Sequence, residues 1–331
     1  TENEFKVEEY YQLITMPFAR KQSNRPELGN EAFAYIKDME ERRKRGTSHI
    51  AELYYYRLRI VGNQITTAFR AMADAAQEAE TYLGTVPHLA TRARFGEFAL
   101  YRMVASLHLG EYEEGRAIAA RCLRLYPEGS MNWMIFLEYF FLLCMHTRNY
   151  RKATETYQKV VTHPRFEALG QVRQEKWRIY EAFLKYMQSG AIASAEETLD
   201  ERKFNIWKFL NDVPNYSKDK RGLNIAILIL QVLFLLDRKD FDGIIQRAEA
   251  LKVYCSRYLK RDENYRSNCF LKMVLIMEKK DFDYERTRKI TEKWYTKLKS
   301  ARISYGNNLA DIEVVPYEQL WDTILNKLRV N

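Results

Sequence analysis

Five histidines (His49, His88, His108, His146, His163), four cysteines (Cys122, Cys144, Cys255, Cys269) and a few carboxylate runs are the side chains that could move protons, attack a substrate or hold a metal. Their spacing points elsewhere. Two histidines that share one ion on a helix stand four residues apart, and no pair here does; HExxH is absent. The cysteines lie far apart with no CxxC, and three fall in apolar stretches where cysteine packs as a small hydrophobe. They read as reduced thiols, which fits a cytoplasmic setting. His108 and His146 each stand two residues before a turn residue (Gly110, Arg148), so their recurrence follows the architecture and not a shared site. Glu111, Glu113 and Glu114, like Glu196 and Glu197, fall at helix starts, where exposed N–H groups favour negative charge. No GxGxxG or GxxxxGK[ST] loop offers clustered backbone N–H groups to a phosphate. No serine, cysteine or lysine nucleophile has a base near it in sequence. The residues therefore nominate no catalytic, cofactor or metal site, and the expectation is a protein that is not an enzyme.

Charge is the more informative chemistry. The net +9 is uneven: residues 1–216 carry +2, residues 217–302 carry +9 and the tail from 303 carries −2. Within the basic segment Arg286, Arg288, Lys289 and Lys293 form a candidate basic surface, with Trp294 and Tyr295 interleaved. Cations mixed with aromatics can grip nucleic acid through phosphates and stacking; in helices such aromatics more often serve the core, so nucleic acid ranks below protein as a partner. Glu41-Arg42-Arg43-Lys44-Arg45 ends a predicted helix, where cations complement the exposed carbonyls.

These groups must be held by helices. Glycine (13) and proline (7) are scarce in 331 residues, too few for the turns of a β-rich chain, while apolar residues make up 47%. Apolar positions recur at three and four, as in Ile244, Ala248, Leu251 and Tyr254, or in the run Ala117, Ala120, Leu123 and Leu125, and small residues such as Ala117, Ala119 and Ala120 suit close helix approach. Fifteen helices are predicted, near 5–16, 29–45, 47–61, 64–84, 88–109, 112–126, 130–147, 149–162, 168–188, 192–210, 219–236, 240–258, 262–279, 282–300 and 316–329. The most apolar stretches, Met131 to Met145 and Leu223 to Leu236, are shorter than the ~20 residues of a membrane-spanning helix. No apolar leader is seen, and the start at Thr1 suggests a fragment or processed product.

One short pattern recurs: a glycine or polar residue, then an acidic residue, Asn or Ala, then an aromatic or aliphatic residue. It stands at Gly110-Glu111-Tyr112, Arg148-Asn149-Tyr150, Gly190-Ala191-Ile192, Lys239-Asp240-Phe241 and Lys280-Asp281-Phe282. The first residue suits a left-handed helix end, the second the first turn of the next helix, and the third packs back on the preceding helix. Gly110, Tyr112 and Pro127 have the relative spacing of the glycine, aromatic and terminal proline of a tetratricopeptide repeat, and Ala119 and Cys122 occupy its second-helix positions; in the next copy Tyr150, Ala153 and Tyr157 match the aromatic, the alanine and the later aromatic, and Pro164 ends the unit one residue early. The chain thus resembles a divergent tetratricopeptide-repeat protein, most clearly over 95–165. Met103 and Phe141 replace the family's first-helix glycine, and the spacings exceed its period.

The resemblance implies an all-α, right-handed superhelical α-α solenoid of stacked antiparallel helix hairpins: one array over 1–331, bent near 190–220, with 303–331 as a C-terminal capping segment. There Tyr317, Leu320, Trp321, Ile324, Leu325 and Leu328 form an amphipathic helix suited to closing the last apolar face, or alternatively to docking reversibly. It also implies that first helices line a concave, partner-binding face. The family's carboxylate clamp positions hold Leu100, Val104, Glu138 and Leu142, which cannot clamp a carboxylate. With Tyr54 and Tyr139, these make the candidate partner-binding set, suited to an apolar peptide or helix. The functional expectation is a cytoplasmic protein- or peptide-binding scaffold with no cofactor and no membrane partner. Alternatives are the peptide-sensing region of a longer protein and a nucleic-acid-binding array on 217–302; self-association stays open.

Overall fold

The computed structural model describes residues 2–20, 25–190, 223–258, 265–301 and 313–330. Among them fourteen α-helices and no strand occur: α1 (Glu2–Arg20), α2 (Arg25–Arg43), α3 (His49–Ile65), α4 (Phe69–Thr85), α5 (Arg92–Leu109), α6 (Tyr112–Leu125), α7 (Met131–His146), α8 (Tyr150–Val161), α9 (Gln171–Gly190), α10 (Leu223–Asp237), α11 (Phe241–Tyr258), α12 (Tyr265–Lys279), α13 (Tyr284–Ser300) and α14 (Tyr317–Val330). A single 3₁₀ turn, Pro87–Leu89, precedes α5. The helix predicted over 192–210 and the bend near 190–220 lie outside the described residues, apart from Gly190. Among the described residues, no helix is long and apolar enough to cross a membrane.

The chain divides into two compact units, Thr1–Leu143 and Cys144–Asn331. In each, consecutive helices joined by short connections pack on one another, so the architecture is an all-helical succession of hairpins.

The hairpin turns are nearly identical. Thr67, Gly110, Arg148, Lys239 and Asp281 all take a left-handed φ between 55° and 69°. The next N–H then reaches back five residues: Ala68 to the Asn63 carbonyl (2.8 Å), Glu111 to Ser106 (2.9 Å), Asn149 to Cys144 (2.8 Å), Asp240 to Leu235 (3.0 Å) and Phe282 to Met277 (3.1 Å). This is a Schellman closure, which satisfies the last carbonyls of the first helix. In the first four turns the residue that closes one helix also caps the next. Asn149 accepts the Lys152 N–H, and Asp240 accepts the Gly243 N–H at 2.8 Å. An aromatic then opens the second helix, at Phe69, Tyr112, Tyr150, Phe241 and Tyr284.

One expectation is corrected here. The last turn is one residue longer than Lys280-Asp281-Phe282 suggests: Asp281 and Phe282 are both left-handed, and Asp283 caps α13 by accepting the Arg286 N–H at 2.7 Å. The opening aromatic also reaches forward onto the next hairpin. Phe69 stacks on His108 (3.5 Å between centroids, 13°), Tyr112 lies over Phe140 (6.1 Å) and Phe241 meets Phe282 (4.4 Å). One turn escaped the pattern. The sequence reading breaks the chain at 62–63, yet α3 runs through Gly62, where a side chain would press on Ile36 Cδ1 (3.2 Å) and Ala32 Cβ (3.4 Å). That glycine serves helix packing, and Thr67 makes the turn.

In the first unit the core contains Leu53, Ile60, Met72, Ala75, Ala79, Leu83, Phe98 and Ala105 across α3, α4 and α5. The buried stripe of α6 is Gly115, Ile118, Ala119 and Cys122; Ala117 and Ala120 are exposed, so the expected face is rotated by about one residue. Gly115 lets α6 come close, since a Cβ there would sit 2.2 Å from Leu143 Cδ2. Buried Glu80 of α4 ties α5 and α6 together through Arg102 (2.7 Å) and Arg121 (2.5 Å).

In the second unit Ile244, Ala248 and Leu251 face inward as their spacing predicts. The α14 helix buries Tyr317, Leu320, Trp321, Ile324 and Leu328 against α10, α12 and α13. Its approach is fixed by Arg266 of α12, whose guanidinium bonds both oxygens of Glu313 and of Glu318 and the Leu298 and Ala301 carbonyls. His146 Nε2 donates to the Glu313 carbonyl (2.7 Å), and Gln319 returns a bond to the His146 carbonyl (2.7 Å).

Candidate interaction surfaces

In the first unit an ion pair between neighbouring first helices organises one face. Arg57 of α3 forks onto Glu97 of α5, with Nε–Oε1 and Nη2–Oε2 both 2.7 Å. Arg57 also lies over the Tyr54 ring (5.1 Å), which meets Tyr11 of α1 edge-on (5.7 Å, 65°). Three, four and seven residues beyond Glu97, on the same helical face, come Leu100, Tyr101 and Val104, and all three are half-buried. Burial, with Tyr11 and Glu97 nearby, raises the Tyr101 phenol above its usual range; Tyr11 is raised by burial and by Glu97. Three of the sequence candidates, Tyr54, Leu100 and Val104, thus gather around a fixed ion pair that the sequence did not announce.

The other three candidates separate. On α7, Tyr139 is half-buried, with its phenol pushed up to about 12 by burial and then by Glu138. Glu138 and Leu142 are buried (4% and 0% exposed), so neither presents its side chain as a contact for a partner. A 3.6-residue period turns positions 138 and 142 together onto the packed side of a helix that is apolar all round.

In the second unit Arg286, Arg288, Lys289 and Lys293 are all exposed on α13. Half-buried Trp294 is surrounded by ammonium groups: Lys272 of α12 at 4.2 Å from the ring centroid, Lys297 at 4.8 Å and Lys293 at 5.7 Å. A polar cleft of about 260 Å³ also opens in this unit, lined by Arg148, Tyr150, Met187, Gln319, Asp322, Thr323 and Asn326.

The histidines and thiols take structural places. His49 Nδ1 lies 2.6 Å from the Tyr82 hydroxyl, and its ring meets His88 edge-on at 5.5 Å. This grouping spans 39 residues and has no local signal. Among the described residues, no cluster of three or more His, Cys, Asp or Glu side chains could hold a metal. Cys122, Cys144 and Cys269 are buried and unpaired with one another; burial pushes the first two thiols up to about 11 and about 12, far from reactive thiolates. The Cys255 side chain lies outside the described residues.

No protein-family model matches the chain, and no curated protein or solved structure shows significant similarity to it.

Proposed function

We propose that this chain is a non-catalytic interaction scaffold, an irregular relative of the tetratricopeptide arrays. Its working surface is the face of α1, α3 and α5 around Arg57 and Glu97. In a right-handed superhelix of such hairpins these helices line the concave side. The reading is carried by one observation: half-buried Tyr11, Tyr54, Leu100, Tyr101 and Val104 flank an ion pair held in a bidentate fork. Tyrosine and arginine fixed in place offer contact area at low entropic cost, and they dominate binding hot spots. The partner that fits is a peptide or helix with an apolar face and a few polar groups.

Peptides selected for binding to the full chain provide the test. Tyr54→Ala and Val104→Glu, each at a half-buried position and each with its fold verified by circular dichroism, should weaken such peptides about tenfold or more. Peptides that bind undiminished, or a selection that enriches none, count against the reading. Single-stranded nucleic acid is the second reading, and it has the exposed cations Arg286, Arg288, Lys289 and Lys293 in its favour as phosphate contacts.

A further inference from the structure

The α13 helix carries its charge in order. Arg286, Lys289, Lys293 and Lys297 follow one another at intervals of three, four and four, which puts them in a single row about 16 Å long. All four are exposed, and Lys272 of α12 extends the row across the Trp294 ring. None of the five forms an ion pair among the described residues. Glu285 and Glu292 border the row, four and three residues from Lys289, while Arg288 and Lys299 lie on the far side of α13. Five cations against two bordering carboxylates leave this edge net positive, and like charges held together stay favourable only when an anion answers them.

The row is not charge alone. Ile290 (37% exposed) stands four residues from both Arg286 and Trp294 and three from Lys293. Ile290 and Trp294 form a two-residue apolar strip framed by cations, with Arg286, Lys293 and Lys297 on one side and Lys272 on the other. That frame also discriminates between anions. Stacking a base needs a whole open ring face, whereas Trp294 is half-buried with three ammonium groups about its ring; an apolar side chain needs only the part left exposed. Binding through phosphates alone leaves Ile290 without a role.

We infer that the α13 row is a docking site for an acidic amphipathic protein segment, one that sets two apolar side chains three or four residues apart on Ile290 and Trp294 and carries Asp or Glu on both edges to meet the lysines. This names a partner chemistry for a second surface, and it rests on the reading of the chain as an interaction scaffold. The row gives the segment its register, since carboxylates at helical spacing match cations at helical spacing.

Fluorescence anisotropy with the full chain tests this. The probes are a labelled helical peptide with Leu and Phe four residues apart between glutamates, the same peptide with both apolar residues changed to Ser, and a labelled oligo-dT of similar charge. The first peptide should bind, weaken as salt rises, and lose about tenfold or more on Lys272→Gln/Lys293→Gln/Lys297→Gln or on Ile290→Ser. These side chains are exposed, and an unchanged circular dichroism spectrum verifies the fold of each variant. The Ser peptide should bind at least about tenfold more weakly. Oligo-dT binding more tightly than the acidic peptide overturns the inference in favour of nucleic acid; equal binding of the Ser peptide, or indifference to the lysine variant, overturns it outright. Tyr54→Ala should leave this binding unchanged. If peptides selected on the α1–α3–α5 face still bind when α13 binds none, this inference falls and the scaffold reading stands.

Discussion

Arg266 and Glu313 are locked together by two hydrogen bonds, Nε–Oε1 at 2.6 Å and Nη2–Oε2 at 3.0 Å, with both residues over nine-tenths buried. The same carboxylate accepts the Tyr317 N–H at 3.0 Å, so the pair sits on the first turn of α14. Arg266 also holds Glu318 and two carbonyls at the end of α13, and only a guanidinium has the donors for so many acceptors.

Removing one partner strands the other. Arg266→Met should cost about 3–5 kcal/mol in urea unfolding, because Glu313 is left buried without its cation. Arg266→Lys should recover little of it, since one ammonium cannot serve six acceptors. Adding Glu313→Gln to Arg266→Met should restore part of the loss; a double variant as weak as the single one would argue that the pair is not coupled.

His146 ties stability to pH. Burial is the main cause that pushes its imidazole down to about 4, with the Glu313 carbonyl opposing. The folded state thus prefers the neutral ring, while the unfolded chain protonates near 6.5. Between about 6.5 and about 4 the unfolded state binds more protons, so stability falls as pH falls through this window, by up to about 3 kcal/mol. Unfolding free energies for His146→Gln should show a shallower slope over this window than the parent; parallel curves would sink the assignment.

The left-handed turns invite a simple substitution series. Thr67 is β-branched at φ 57°, and Arg148 and Lys239 sit at 59° and 57°. Glycine is free of the penalty there, so Thr67→Gly, Arg148→Gly and Lys239→Gly should each raise stability by up to about 1 kcal/mol. Gly110→Ala should lower it by about 1 kcal/mol. Thermal midpoints that move the other way would mean the turns do not hold this backbone in solution.

Two helical glycines should resist even alanine. At Gly96 a Cβ would lie 1.5 Å from the Tyr126 hydroxyl, which donates to the Arg92 carbonyl at 3.2 Å. At Gly115 it would strike Leu143. Gly115→Ala should cost about 1–3 kcal/mol through overpacking, despite alanine's better helix propensity. Gly96→Ala should cost less, because the tyrosine tip can swing into solvent. Chemical denaturation of both variants checks the order.

Local features were legible and convergent ones were not. Among the described residues, the period of apolar residues located the helices within a few residues, and the turn pattern located four of the five left-handed hairpin corners to within one residue. Thr67-Ala68-Phe69 was missed because threonine gives no left-handed signal, whereas Gly62 gives a false one. The inward face of α7 was misread for a related reason: when Trp133, Phe136, Phe140, Phe141 and their neighbours are all apolar, the pattern cannot say which way Leu142 and Glu138 turn. Arg57 with Glu97, His49 with His88 and Arg266 with Glu313 are 40, 39 and 47 residues apart. Each depends on how helices stack, which no window of sequence contains.

The shared cap residue has a further consequence. With Ala68, Glu111, Asn149 and Asp240 each closing one helix while starting the next, these corners hold no spare residue. An insertion or deletion there would break both caps at once and turn the following helix by about 100°. Variation in length has to fall elsewhere, in the helices and in the looser connections such as 126–130. The aromatics that open successive second helices, at 69, 112 and 150, are accordingly 43 and 38 residues apart while the corner geometry stays constant. Evolution and protein engineering can thus lengthen or shorten the arms of each hairpin, but its elbow is indivisible.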